Sequence, residues 1–327
     1  MQTIGWGMIG CGSVTEVKSG PGFQKARGSR LVAVMRRNGE LAKDYAGRHG
    51  VPRWYDTAEA LIADPEVDAI YVATPPYAHK TYALMAAEAR KPVYVEKPMA
   101  MNFAECQAML EACRAGGVPL LVAYYRRALD RFLKVKEIVD AGLIGVPRAV
   151  TVALYRPQVA PPPGTADWRV DPAVAGGGHF VDLASHTLDF LDYVLGPIRT
   201  ARGLAANQAR LYPAEDIVAA AFEFESGVQG TGLWWFAGLT HVDRTEILGT
   251  RGRVVFASFD EDPVLLQAGG ETTEFTIPHP LHIQQPLIQT VVDQLNGVGR
   301  CPSTGETAAR TTRVMDQILA AYYTARP

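Results

Sequence analysis

The chain has 327 residues, 48% of them hydrophobic, with 32 Lys and Arg against 34 Asp and Glu. That length supports two domains with ample core, and a net charge of −2 without charged blocks excludes a nucleic-acid footprint or a membrane patch. The longest apolar runs, such as Pro119–Tyr125, are too short to span a bilayer.

Residues 4–9 read as a strand that feeds a glycine turn, Gly10-Cys11-Gly12, and then a helix from Ser13. A strand, turn and helix in that order present backbone N–H groups to a pyrophosphate. Gly10, Gly12, Ser13 and Val14 are the expected contacts. Gly10 permits the tight turn and Gly12 a close approach of the phosphates. The third position of the G-x-G-x-x-G pattern is Thr15, a place that mainly governs helix–strand packing. By itself the motif equally describes a glycine-rich turn after any buried strand. Ser19-Gly20-Pro21-Gly22 interrupts the helix Ser13–Ala26, which predicts two pieces, the second starting near Pro21.

Arg30–Arg37 is an apolar run suited to a strand covered on both faces. An NAD-binding chain usually offers an acid at the end of this strand, about 20 residues past the glycines, for the ribose hydroxyls. Met35-Arg36-Arg37-Asn38 offers none. Arg36 and Arg37 instead suit a 2′-phosphate, so NADP(H) is expected to be preferred, with NAD(H) possible. Two solvated arginines at a strand end are the plainer alternative.

Helices are expected at Glu40–His49, Thr57–Ala63, from near His79, and at Asn102–Ala115. Strands are expected at Val51–Tyr55, Val67–Thr74, Val93–Glu96 and Leu120–Ala123. This alternation argues an α/β, doubly wound parallel Rossmann sheet over residues 1–123. Lys97 ends a buried strand beside Pro98, where a side chain faces the ligand crevice. Burial and a cationic nicotinamide would both lower its pKa, making it a proton donor and acceptor. A surface lysine at a strand end is the alternative.

Several motifs then carry a family likeness: GMIGCGSVT at 7–15, ATPPYAH at 73–79, VEKP at 95–98, YYRR at 124–127 and WRVDPAVAGGGHFVDLASHTLD at 168–189. In this order the chain resembles the glucose–fructose oxidoreductase and inositol dehydrogenase family (Gfo/Idh/MocA). The resemblance implies that Lys97 lies beside the nicotinamide and the substrate hydroxyl. It also implies cofactor contacts from Thr74, Pro75, His79 and Glu96, and from Trp168 and Arg169 of a second domain. Tyr125, where many members have Asn, and Ala184, where Gly is frequent, depart from the usual pattern.

Residues 124–327 are expected to form an α+β substrate-binding and oligomerisation domain with a largely antiparallel open sheet, its last helix packing back on the first domain. Ala128–Ala141 is an amphipathic helix and Val146–Arg156 a strand. Pro157–Gly164 is a Pro-rich loop, either a flap or a stiff connector. A helix opens near His179 and places Asp182 and His186 four apart on one face. A carboxylate and an imidazole so placed suit one small ligand; an exposed pair with no further role is the alternative. His179 is a minor pocket candidate and Asp189 a structural one. Strands follow at Arg199–Asn207, Asp216–Phe224, Val228–Phe236, Arg244–Gly249, Arg253–Ala257 and Glu274–Ile277, then helices at Ile283–Leu295 and Thr304–Thr324. Trp234, Trp235 and Phe236 include aromatics in need of cover, so a homodimer or homotetramer through this sheet is expected.

The four cysteines, Cys11, Cys106, Cys113 and Cys301, lack metal-ligand clustering, and structure starts by residue 4. No metal is expected, and a reduced, cytoplasmic setting fits. The combined expectation is an oxidoreductase moving hydride between nicotinamide and a secondary alcohol or ketone of a sugar, anhydrosugar or cyclitol. Lys97, Asp182 and His186 are its catalytic set, with Tyr125, Arg126 and Tyr155 as further substrate contacts. The alternatives are a dehydrogenase of the same fold acting on an aromatic trans-dihydrodiol, and a non-catalytic NADP-binding sensor or scaffold.

Overall fold

The computed structural model describes residues 2–157 and 167–324. Contacts divide the chain into two units, 1–129 with 280–309 and 130–279 with 310–327. The Pro-rich loop expected after Arg156 falls outside the described residues, apart from Pro157 at the end of a strand.

In the first unit the strands β1 (Ile4–Ile9), β2 (Ser29–Met35), β3 (Arg53–Tyr55), β4 (Ala69–Val72), β5 (Val93–Val95) and β6 (Leu120–Val122) form one parallel sheet in the order β3-β2-β1-β4-β5-β6. That order reverses between β1 and β4, the switch point where ligands meet the carboxyl ends of the strands. Helices α1 (Ser13–Val17), α2 (Gly20–Lys25), α3 (Gly39–His49), α4 (Ala58–Ala63), α5 (His79–Glu88) and α6 (Phe103–Gly116) connect them. Caps set their starts: Asn38, Thr57 and Asn102 each accept a backbone N–H three residues on. The expected helix break is real. A Cβ on Gly20 would meet Thr15 O at 2.3 Å and Tyr45 Oη at 2.4 Å, so only glycine fits where α2 starts. Thr15 is buried, and its hydroxyl donates to Gly12 O at 2.8 Å, which ties the glycine turn to the helix that follows.

The second unit opens with α7 (Asp130–Asp140). Its eight-stranded sheet comprises β7 (Pro147–Pro157), β8 (Ile198–Ala206), β9 (Ile217–Phe224), β10 (Gln229–Gly238), β11 (Val242–Gly249), β12 (Gly252–Phe256), β13 (Val264–Ala268) and β14 (Glu271–Phe275). All neighbours are antiparallel except β7 and β10. Sequence reading missed β13, although Gly269-Gly270 (φ +62° and +85°) is the hairpin turn that joins it to β14. A short helix α8 (Pro172–Ala175) and a π-turn (Phe180–Ala184) lead into α9 (Ser185–Leu195).

One face of this sheet packs on that helical segment. Trp234 meets Phe180 edge-on at 5.1 Å, and Phe190 meets Phe256 at 5.5 Å. Trp234 and Phe236 are therefore buried within the unit, and of the three aromatics expected to need a partner only Trp235 turns outward. Of the closing helices, α10 (Gln285–Leu295) lies in the first unit, and α11 (Gly305–Thr324) contributes residues from 310 onward to the second. Among the described residues, no helix is long and apolar enough to cross a membrane.

Candidate active site

The glycine turn of the first unit is fixed by its neighbours. Gly10 sits at φ +93°, a conformation that a side chain strains, and its N–H donates to Met35 O of β2 at 2.9 Å. A Cβ there would meet Thr74 Cγ2 at 2.8 Å and the Ala73 carbonyl carbon at 2.9 Å. At Gly12 the same test finds nothing closer than Gly10 O at 4.0 Å, so open space lies on that side of the chain. Ser13 and Val14 follow as the first residues of α1, whose opening N–H groups have no intrahelical acceptor. The buried Thr74 Oγ1 at the facing strand end has no hydrogen-bond partner among the described residues. A glycine cradle, unsatisfied backbone donors and an unpartnered hydroxyl at the switch point suit a dinucleotide's phosphates.

Arg36 and Arg37 are exposed where β2 ends, and Arg37 Nη2 donates to the Tyr77 hydroxyl at 3.2 Å. Tyr77 follows Thr74-Pro75-Pro76 after β4, so the two sides of the turn are joined through a residue that sequence reading passed over. His79 has another place than expected. It is fully buried, its Nε2 lies 2.7 Å from Thr74 O, and its Nδ1 lies 3.1 Å from Pro98 O. Burial lowers its pKa, against the raising effect of those carbonyls. Both ring nitrogens thus face backbone carbonyls, of which a neutral ring donates to one, and His79 is packed between the Thr74 and Pro98 turns.

Glu96 is similarly sequestered. It is 5% exposed, and its Oε1 accepts from the Tyr71 hydroxyl at 2.6 Å and from Gln284 Nε2 at 2.8 Å. Its Oε2 accepts the Lys97 N–H at 3.2 Å. Burial, then the Glu96 charge, pushes the Tyr71 hydroxyl far above its ordinary pKa and keeps it a donor. The carboxylate expected at the cofactor therefore braces the backbone of Lys97. Lys97 itself is half-buried just beyond β5. Tyr125 and Arg126 are buried at 7% and 4%, with the guanidinium 5.2 Å from the tyrosine ring centroid.

In the second unit, Asp182 lies in the π-turn and His186 in the first turn of α9. A π-turn widens the helix by one residue, an irregularity frequent at functional sites and invisible to an α-helical count. The Asp182 carboxylate is 21% exposed, and Arg169 Nε lies 3.8 Å from its Oδ2. The Arg169 guanidinium stacks 4.6 Å from the Trp168 ring. The expected tryptophan–arginine pair is therefore seated beside the expected acid. Burial lowers the pKa of His179, against the opposing charge of Asp182, and its ring packs on Tyr212 and Phe236. Asp189 is fully buried and accepts from Thr311 Oγ1 at 3.4 Å, a structural role.

His186 is 3% exposed and meets Phe259 edge-on at 5.9 Å. Asp243 shapes the Phe259 loop, its carboxylate accepting the N–H groups of Ser258, Phe259 and Asp260 at 2.9, 2.6 and 2.9 Å. Arg156 lies 5.5 Å over Phe259 and 3.3 Å from Asp260 Oδ1, while Asp260 Oδ2 lies 2.5 Å from His241 Nε2.

Tyr155 is displaced from its expected role. It pairs with Val242 and Trp235 on the sheet face opposite that of Leu154 and Trp234, the face packed on Phe180. Strand alternation turns its neighbour Arg156 toward Phe259. The buried Val152 and Leu154 carried that signal in the sequence. Among the described residues no cluster of His, Cys, Asp and Glu can hold a metal ion.

Comparisons with known proteins agree with this fold. Residues 4–124 match the family model described as oxidoreductase family, NAD-binding Rossmann fold, and residues 132–255 match the GFO/IDH/MocA C-terminal domain. Oxidoreductase P35 of Formosa agariphila is 38% identical over 96% of this chain and 97% of its own. The 1,5-anhydro-D-fructose reductase of Ensifer adhaerens is 29% identical over 92% and 91% of the two chains. The aldose-aldose oxidoreductase of Caulobacter crescentus, solved with glycerol, superposes with a TM-score of 0.88 at 25% identity, covering 99% of each chain.

Proposed function

The chain belongs to the GFO/IDH/MocA family of NAD(P)-dependent oxidoreductases, and from that premise we propose that it interconverts a secondary alcohol and its ketone in a sugar, anhydrosugar or cyclitol, with NADP(H) preferred. The observation that carries this reading is Lys97, half-buried at the carboxyl end of β5 with its backbone braced by a buried carboxylate. The names of the reductase acting on 1,5-anhydro-D-fructose and of the aldose-aldose oxidoreductase support a polyhydroxylated substrate. Arg36 and Arg37, in a strand end without an acid, support the 2′-phosphate.

When bound, the nicotinamide donates or accepts the hydride. The chain supplies the rest. Gly10 and Gly12 shape the turn, their own N–H groups bonded to Met35 O and Gly10 O, and Ser13 and Val14 at the start of α1 offer backbone N–H groups to the pyrophosphate. Lys97 Nζ gives a proton to the ketone oxygen, or takes one from the hydroxyl in the reverse direction. Asp182 orients a substrate hydroxyl, and His186 shares the proton load. The half-exposed outer face of the second sheet, with Leu233 and Trp235 beside exposed Ala219 and Ala221, serves as the contact between copies of the chain.

A cofactor-oxidation screen with 1,5-anhydro-D-fructose, keto-sugars, inositols and aromatic dihydrodiols tests the reading. Activity confined to the dihydrodiols, or to none of the panel, would sink it. Lys97→Met is expected to lower kcat by about 10² or more while NADPH affinity stays nearly unchanged. A KM for NADH equal to or below that for NADPH would remove the cofactor preference alone.

A further inference from the structure

Glu215 is a carboxylate with no accessible surface, set between buried Ala214 and Asp216 ahead of β9. Its Oε1 accepts the Gly178 N–H at 2.8 Å, and its Oε2 accepts the Tyr323 hydroxyl at 2.5 Å. Gly178 is the last glycine of the run before the π-turn, and its own carbonyl accepts the Asp182 N–H at 3.3 Å. One residue, Gly178, therefore links the buried carboxylate to the backbone of Asp182.

The glycines make room for this contact. A Cβ on Gly178 would meet Ala214 Cβ and Glu215 O at 2.8 Å, and one on Gly177 would meet Val181 Cγ2 at 2.4 Å. A fully buried carboxylate is costly to desolvate, and an apolar side chain of similar size would fill the same volume without that cost. What the apolar side chain lacks is an acceptor for the Gly178 N–H.

We propose that Glu215 is a positioning residue. It holds the Gly176–Gly178 turn from one side and Tyr323, in the last turns of α11, from the other, and so sets where Asp182 and His186 are presented. The proposal rests on the assignment of Asp182 and His186 to the reaction. Misplacing a catalytic group by about 1 Å can cost on the order of 10² in rate.

The test uses the full chain with NADPH and 1,5-anhydro-D-fructose, or the panel member that turns over fastest. Glu215→Ala is expected to lower kcat by at least about 30-fold. The affinity for NADPH should stay within about twofold, and amide exchange should quicken across 176–186 but not in the central strands. Glu215→Gln keeps an oxygen for Gly178 and can donate to the phenol oxygen, so it should recover to within about threefold of wild type. Tyr323→Phe should fall between the two, and it carries the test if Glu215→Ala does not fold. Wild-type kcat per cofactor-binding molecule in Glu215→Ala or Tyr323→Phe, with only melting temperature reduced, would overturn the proposal. His186→Gln serves as the control on the premise: wild-type turnover there removes the assigned role of the helix, and this proposal with it, whatever Glu215→Ala does.

Discussion

The two units hold their site-bearing segments by different physical means. In the first, backbone and packing do most of it. Gly10 is wedged against Ala73 and Thr74, His79 sits between carbonyls of two turns, and buried charge enters beside them at Glu96, Arg126 and Arg127. In the second, buried charge is used repeatedly. Glu215 holds the start of the π-turn, Asp243 collects three N–H groups of the Phe259 loop, and Arg310 grips Asp192 of α9 at 2.8 and 2.6 Å. Arg131 adds bonds to the Asp260 and Asp262 carbonyls. A parallel sheet brings its strand ends to one edge by topology, so short turns suffice there. A helix laid across an open sheet has no such edge, and charged groups fix its position instead.

This contrast predicts unequal responses to single substitutions. The largest loss of stability is expected from Arg310→Ala, which leaves Asp192, 3% exposed at its side chain, without its guanidinium partner. Arg310 is itself 33% exposed, so water reaches the vacated site and the expected cost is about 2–3 kcal/mol; a thermal melt showing under 1 kcal/mol would mean that charge is not what anchors α9. Gly10→Ala should come next, at about 1–3 kcal/mol, from a positive φ and backbone contacts under 3 Å. Its sharper signature is weakened NADPH binding with kcat at saturation nearly retained, measured by titration and initial rates. Equal losses in KM and kcat would break the division of labour between turn and lysine.

The smallest effect is expected at an exposed pair of the first unit. Glu16 accepts two bonds from Arg48 and one from His49, and the Arg48 bonds chiefly hold its pKa at about 2, from an ordinary 4.5. A carboxylate with a lowered folded-state pKa stabilises above its unfolded value and loses that contribution as pH falls through the folded one. Glu16→Gln should therefore cost under about 1 kcal/mol at pH 7, since solvent screens a side chain a third exposed. The gap to wild type should close as pH drops from 4.5 toward 2. A gap that holds constant in urea melts across that range would assign the effect to packing.

Local chemistry alone determined much of this protein. Gly10-Cys11-Gly12, the alternation of helices and apolar strands through Val122, and Glu96-Lys97-Pro98 specify a dinucleotide fold with a lysine at its ligand edge, because glycine dihedrals and strand periodicity act within a few residues. Tertiary structure decided what depends on partners far along the chain. Glu215 meets groups 37 and 108 residues away, His79 reaches a carbonyl 19 residues on, and Glu96 takes a bond from Gln284, 188 residues on. Arg156 rather than Tyr155 turns toward Phe259, because a strand's inward side exists only once a helix covers one face. A buried polar group has no local signature, since its reason to be there is the donor or acceptor that folding delivers to it.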